Sequence, residues 1–183
     1  IRDSVTLLFA DMAGSTGIVE KLDPEEAAAL LEAVTTTMRE AVSRFDGTVN
    51  KMQGDGIMAL FGALIPMEDH ATRACCAALA MIEAVRSIDG APPIRVGIHT
   101  GEVVLRAVST DLTTQYDAMG VAVHLASRLE HEAEPWGAVI SKATFRAAAG
   151  NVIVVPRGER ALRGISEPVP IYGLDGVRSS GTS

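Results

Sequence analysis

Short apolar runs alternate along this chain with longer stretches in which apolar residues recur at helical spacing. Residues 5–10 (VTLLFA) are almost wholly apolar and end at Asp11, the pattern of a central strand buried on both faces. Gly14-Ser15-Thr16 follows as a turn of phosphate size. Pro24, Glu25 and Glu26 then open a helix in which Leu30, Val34, Met38, Val42 and Phe45 form one stripe, ending at Asp46-Gly47. Residues 48–52 and 57–61 flank Gln53-Gly54-Asp55-Gly56, which predicts a hairpin with Asp55 on its turn. Ala74, Ala78, Met81 and Val85 mark a second helix that stops before Asp89-Gly90 and Pro92-Pro93. Ile94, Val96 and Ile98 alternate with Arg95, Gly97 and His99, and after Thr100-Gly101 residues 103–108 are expected as a separate strand. Val121, Leu125 and Leu129 predict a third helix, followed by short strands near Val139-Ile140, 152–155 and 169–174. Hairpins mixed with crossover helices imply an α+β fold, with helices packed on a mostly antiparallel sheet.

Composition narrows the function classes. The 183 residues are 48% hydrophobic and 21% charged, which suits one soluble domain, and no apolar run is long enough to cross a bilayer. Lysine and arginine total 16 against 23 acidic residues, a net charge of −7 that argues against a broad nucleic-acid or anionic-membrane surface. An anionic ligand must therefore be met by a few placed groups. Cys75 and Cys76 are adjacent in a helical pattern, where they neither bridge easily nor match a zinc spacing; they read as small core residues of a cytoplasmic protein. Ile1 begins abruptly without a signal-peptide pattern, as if cut from a longer chain. Residues 178–183 (RSSGTS) read as a disordered tail or linker, leaving 1–177 as a single domain.

The candidate chemistry begins with Asp11 at a strand end and Asp55 on a neighbouring turn. Either alone could simply cap a turn. Paired beside Ala13-Gly14-Ser15-Thr16, they suit hard divalent cations that bridge to phosphate oxygens. Neither GxxxxGK[ST] nor GxGxxG is present, so neither a P-loop nor a Rossmann fold accounts for them.

VTLLFADMAGST, KMQGDGIMALFGA, IRVGIHTGEVV and YDAMGVAVHLASRLE occur in the order and spacing of the class III adenylyl and guanylyl cyclase catalytic domain. The chain resembles that family over residues 5–174. The resemblance implies a ferredoxin-like nucleotidyl cyclase core and closure of a nucleoside triphosphate to a 3′,5′-cyclic nucleotide with release of pyrophosphate. It implies Mg2+ or Mn2+, two per active site, held by Asp11, Asp55 and the Met12 carbonyl. The backbone amides of Ala13, Gly14, Ser15 and Thr16 would cradle phosphates, Arg95 would contact the terminal phosphates, and Arg163 would lie near the triphosphate. Arg128 would stabilise transition-state charge. His124, one helical turn before it, stands where the family usually has an asparagine that orients the ribose.

Lys51 and Asp117 occupy the two positions that the family uses to read the base. A lysine donor suits adenine N1 and an aspartate acceptor suits the adenine amino group, whereas guanine presents the opposite pattern. The reading is an adenylyl cyclase acting on ATP as a homodimer, with sites at the subunit seam, fused to regulatory domains and located in the cytoplasm. Asp11, Asp55 and Arg95 would come from one chain, and Lys51, Asp117, His124 and Arg128 from the other. A weak or inactive cyclase-like module that binds nucleotide or dimerises is the alternative, favoured by His124; a guanylyl cyclase is the third reading, opposed by Lys51 and Asp117.

Overall fold

The computed structural model describes residues 2–53, 55–109 and 114–178, with the backbone alone at residues 2, 3, 51–53 and 114–116. In chain order the elements are β1 (Arg2–Met12), α1 (Ser15–Lys21), α2 (Pro24–Arg44), β2 (Thr48–Gln53), β3 (Gly56–Phe61), α3 (His70–Arg86) and β4 (Ile94–Ser109). They continue as β5 (Thr114–Met119), α4 (Val121–Glu132), β6 (Gly137–Ser141), α5 (Lys142–Ala147), β7 (Val152–Arg160) and β8 (Val169–Val177). One sheet runs β2-β3-β1-β4-β6-β8-β7, with β5 added to β4. Among the described residues only the β4–β6 pair is parallel, so the sheet is mostly antiparallel as expected. None of the described helices is long and apolar enough to cross a membrane.

Both faces of the sheet are covered, and the two faces account for the unbroken apolar run in β1. Leu8 and Ala10 pack with Val34 and Met38 of α2, and with Ala78 and Met81 of α3. Val5 and Leu7 point the other way, against Val103 of β4 and Ala122 and Ala126 of α4. Both sides of β1 are thus apolar, and Val5, Leu7 and Leu8 are fully buried. At the other end of α4, Leu129 packs with Val139 and Ile171 in a third cluster.

The structure departs from the sequence expectation at several places. β4 runs unbroken from Ile94 to Ser109, where two strands were expected. Thr100 and Gly101 stay in the ladder opposite Thr6 and Val5, so the glycine marks close packing instead of a turn. A Cβ on Gly101 would stand 3.1 Å from His99 Nε2 and 3.2 Å from the Ala122 Cβ. Ser15 starts a helix of seven residues where a turn was read. β5 went unread because TQYDAM lacks apolar alternation; its partner, the outer half of β4, is what makes it a strand. Arg178, first residue of the expected tail, donates its N–H to the Asn151 carbonyl at 2.7 Å, while 179–183 lie outside the described residues.

A chain of side-chain hydrogen bonds passes through this core. His70 Nδ1 meets Thr6 Oγ1 at 2.7 Å, Thr6 meets Thr100 at 2.8 Å, and Thr100 meets Thr144 at 3.0 Å. Ser141 links Thr144 to His99, whose Nδ1 lies 2.7 Å from Ser141 Oγ. Each hydroxyl is thereby satisfied in the interior, where a lone one would be costly. Burial pushes the His99 imidazole down to about 4.

Two predictions follow from this packing. Gly97 has α4 pressed against it, since a Cβ there would fall 2.2 Å from Glu130 N and 2.8 Å from the Ala126 carbonyl oxygen. Gly97→Ala should therefore cost about 1–3 kcal/mol in urea unfolding, and an unchanged midpoint would contradict that close approach. His99 is held neutral in the fold while the unfolded chain takes up its proton near 6.5. Its contribution is complete above pH 6.5 and lost as pH falls toward 4, at up to about 1.4 kcal/mol per pH unit. His99→Gln should flatten the fall of stability across that window relative to the parent.

Candidate active site

Three neighbouring strands bring the first half of the site to one end of the sheet. Asp11, near the end of β1, stands opposite Gly56 of β3 and opposite Arg95 of β4. A Cβ on Gly56 would lie 2.7 Å from the Ala10 carbonyl oxygen and 3.2 Å from Asp11 Oδ1, so glycine there lets the turn close over the carboxylate. Asp55 precedes Gly56 on that turn, as the sequence predicted.

Asp11 Oδ1 accepts the Met12 N–H at 2.8 Å, and Asp55 Oδ2 accepts the hydroxyl of Ser15. Ser15 is buried, placed by the helix start of α1 next to the β2–β3 turn. Burial is the main force raising the Asp11 carboxyl above its ordinary range; the Met12 N–H opposes it, and the like charge of Asp55 adds to it. Two carboxylates that repel one another at a half-buried position form a donor set of hard oxygens that a divalent cation would relieve. Asp11, Asp55 and the Met12 carbonyl fit that group. Among the described residues no cluster of three or more His, Cys, Asp or Glu side chains offers a rival centre.

Arg95 extends from the same strand end. Its Nε is buried and has no hydrogen-bond partner among the described residues. Of the four amides expected to cradle phosphates, Gly14 precedes α1 and Ser15 and Thr16 open it, but the Ala13 amide is already engaged. It donates to the Pro93 carbonyl at 2.7 Å, so the chain itself already satisfies that donor.

The other expected residues sit elsewhere. His124 and Arg128 lie one turn apart on α4, as spacing required. His124 Nε2 is 2.8 Å from the Arg163 carbonyl oxygen, which only an N–H can satisfy, so Nε2 donates and Nδ1 is the acceptor in the neutral ring. Arg163 is thus adjacent to His124 through its backbone, with its side chain exposed. Arg128 Nε is, like that of Arg95, buried without a partner among the described residues. Asp117, expected to read the base, lies on β5, opposite Arg106 of β4. Lys51 belongs to β2 by its backbone, and its side chain lies outside the described residues. Among the described residues, no hydrogen bond or ion pair joins Asp117, His124 or Arg128 to Asp11, Asp55 or Arg95 within the chain.

Sequence reasoning missed one group. Ser127, Glu130 and His131 of α4 share a cavity of about 110 Å³ with Phe9, Asp11 and Gly56. Glu130 is 6% exposed, and burial pushes its carboxyl up to about 7, with the charge of Asp11 adding to the effect. The signal was present: a charged residue four positions after the buried Ala126 falls on the buried stripe of an amphipathic helix.

The adenylate and guanylate cyclase catalytic domain model matches residues 1–176. Adenylate cyclase 1 of Rhizobium meliloti (strain 1021) is 34% identical over 96% of this chain, which spans 28% of that protein. The guanylate cyclase soluble subunit beta-2 of Rattus norvegicus is 32% identical over 88% of the chain, which spans 24% of it. Among solved structures, the guanylyl cyclase Cya2 superposes with a TM-score of 0.91 at 31% identity, covering 98% of this chain and 95% of that one. The adenylyl cyclase CyaB from P. aeruginosa gives 0.88 at 28% identity, covering 100% and 98%.

Binding of a cation at the carboxylate pair is testable without turnover. Mn2+ at tenfold excess over its dissociation constant should raise the melting temperature of the parent by about 3–6 °C. Asp11→Asn should lose that rise, yet melt no lower than the parent in EDTA, because it removes a half-buried repelling charge. An equal Mn2+ shift in both proteins would place the ion elsewhere.

Proposed function

This chain belongs to the adenylate and guanylate cyclase catalytic domain family, and from that premise we propose that it is an adenylyl cyclase that forms 3′,5′-cyclic AMP and pyrophosphate from ATP as a homodimer. The observation that carries the proposal is the division of the site. A carboxylate pair gathers at one sheet end with Arg95, whose buried Nε has no partner among the described residues, while Arg128, whose Nε is likewise without one among them, sits apart on α4. Val104, Val108, Met119 and Val121 leave apolar surface exposed on the β4–β5 hairpin and the start of α4, at 41%, 40%, 46% and 73%, which supports pairing of two copies.

In the reaction the ribose O3′ forms a bond to the α-phosphorus, the bond from that phosphorus to the bridging oxygen breaks, that oxygen leaves with the pyrophosphate, and the O3′ proton passes to solvent. Two divalent cations, Mg2+ or Mn2+, would acidify the 3′-hydroxyl and neutralise the triphosphate when held by Asp11, Asp55 and the Met12 carbonyl. Arg95, with a desolvated guanidinium edge, binds the terminal phosphates. Gly14, Ser15 and Thr16 offer amides to the phosphates, and Arg163 adds positive charge nearby. From the second copy, Arg128 meets the charge that builds on the α-phosphate, a fixed cation that needs no proton transfer to act. Lys51 donates to adenine N1, and Asp117 accepts from the adenine amino group. His124 orients the ribose.

The bond from His124 Nε2 to the Arg163 carbonyl favours a second reading, because that ring donor is already engaged. Under it the domain binds nucleotide or dimerises with little turnover. Both adenylate and guanylate cyclases are among the relatives, and Lys51 with Asp117 is what favours ATP. The unbridged Cys75 and Cys76 accord with a cytoplasmic location, and the small share of each relative that is spanned accords with a catalytic domain fused to others.

The divided site gives the test. Asp11→Ala and Arg128→Ala should each be inactive with ATP and Mn2+. Mixed, they should form heterodimers in which one centre holds both lesions and the other none, restoring cyclic AMP measured by chromatography. If subunits exchange and the mixture stays inactive, the shared site is wrong and the non-cyclising module becomes the better account.

A further inference from the structure

The outer half of β4 and the whole of β5 form a two-stranded hairpin with two different faces. Val103, Leu105 and Ala118 turn inward to the cluster against α4. On the opposite face lie Val104, Arg106 and Val108 of β4, with Asp117 and Met119 of β5. Val104 pairs with Met119, and the next pair along this face is Arg106 with Asp117, residues directly opposite in the ladder. The Arg106 guanidinium lies 3.9 Å from Asp117 Oδ2. Among the described residues Arg106 is the only cation that close to Asp117. An ion pair therefore sits on an exposed face whose nearest members are apolar.

In open solvent such a pair contributes little. Its setting changes that value if the face is covered. A carboxylate packed among Val104, Val108 and Met119 without a countercharge would be costly, and Arg106 supplies the countercharge from the neighbouring strand. A carboxylate also has one property that matters for a purine edge: it only accepts hydrogen bonds. It matches an exocyclic amine and repels a carbonyl oxygen. How well it discriminates depends on where its oxygens stand, and a cross-strand guanidinium supplies a countercharge 3.9 Å from one of them.

We infer that Arg106 is a positioning residue for base selection, acting through Asp117 to hold its carboxylate as an acceptor for the amino group of adenine. The inference rests on the reading of Asp117 proposed above.

The test compares the parent with Arg106→Ala, Arg106→Lys, Asp117→Asn and the double variant Arg106→Ala/Asp117→Asn, using ATP and GTP. Arg106→Ala should lower kcat/KM for ATP about 3- to 10-fold, chiefly through KM, and shrink the ATP-to-GTP ratio by a similar factor. Arg106→Lys should recover most of that loss because it restores the charge. In the Asp117→Asn background, Arg106→Ala should change the ratio less than about twofold, since the partner is gone. Arg106 is exposed within the single chain, so the melting temperature of the unpaired chain should not move. An Arg106→Ala ratio equal to the parent's, while Asp117→Asn shifts it, would overturn this inference and leave the reading of Asp117 standing. The same loss in both backgrounds would also overturn it, because Arg106 would then act on something other than Asp117. A parent ratio that survives Asp117→Asn removes the reading of Asp117 and the inference together. If turnover is too slow to measure, displacement of a fluorescent N-methylanthraniloyl-ATP by ATP or GTP gives the same comparison.

Discussion

Everything near the carboxylates depends on β1 being hydrogen-bonded on both edges and packed on both faces. Its antiparallel pairing to β3 and β4 sets one register in which Asp11 faces Gly56 on one side and Arg95 on the other. A slip of one residue would turn Val5 and Leu7 away from α4 and carry Asp11 to the opposite face. The buried apolar side chains on both faces hold that register, so the core and the site are specified by the same interaction. The carboxylate end of β1 is then presented where the strand runs out and the hairpin turn closes over it.

Helix α4 has two jobs on one short element. Its small inner residues, Ala122 and Ala126, let it approach β4 closely at Gly97, which brings Glu130 into the interior behind Asp11. Its other exposed and half-buried positions carry His124 and Arg128 toward a different surface. A helix of twelve residues cannot turn the same side chains in both directions, so the two groups are separated by geometry. The burial of Glu130 beside Asp11 also brings two carboxyl groups to one small cavity, where His131 and Arg95 offset part of their charge.

The polar chain from His70 to His99 shows a different solution to buried polarity. Its hydroxyls are buried or half-buried, yet each finds a partner on another element, tying α3, β1, β4 and the start of α5 together. Directional bonds of this kind specify how those elements align, where apolar packing alone would tolerate more shift.

Local spacing was enough to recover the strand ending in Asp11, the glycine turn bearing Asp55, the strand alternation that turns Arg95 away from Ile94 and Val96, and the helical spacing of His124 and Arg128. Each of these leaves its mark within a few residues, because strand and helix periods are short-range. The unbroken β4 left no such mark, since pairing with β1, far earlier in the chain, creates it, and β5 is a strand only as the hairpin partner of the outer half of β4. Long-range contacts also make the bond from the Ala13 amide to Pro93 and the bond from His124 to the Arg163 carbonyl. Sequence alone thus determined which residue types stand at strand ends and on helix faces. Tertiary structure alone decided which of their polar atoms are already satisfied and which remain available, because sheet register and helix docking bring those atoms together from far apart in the chain.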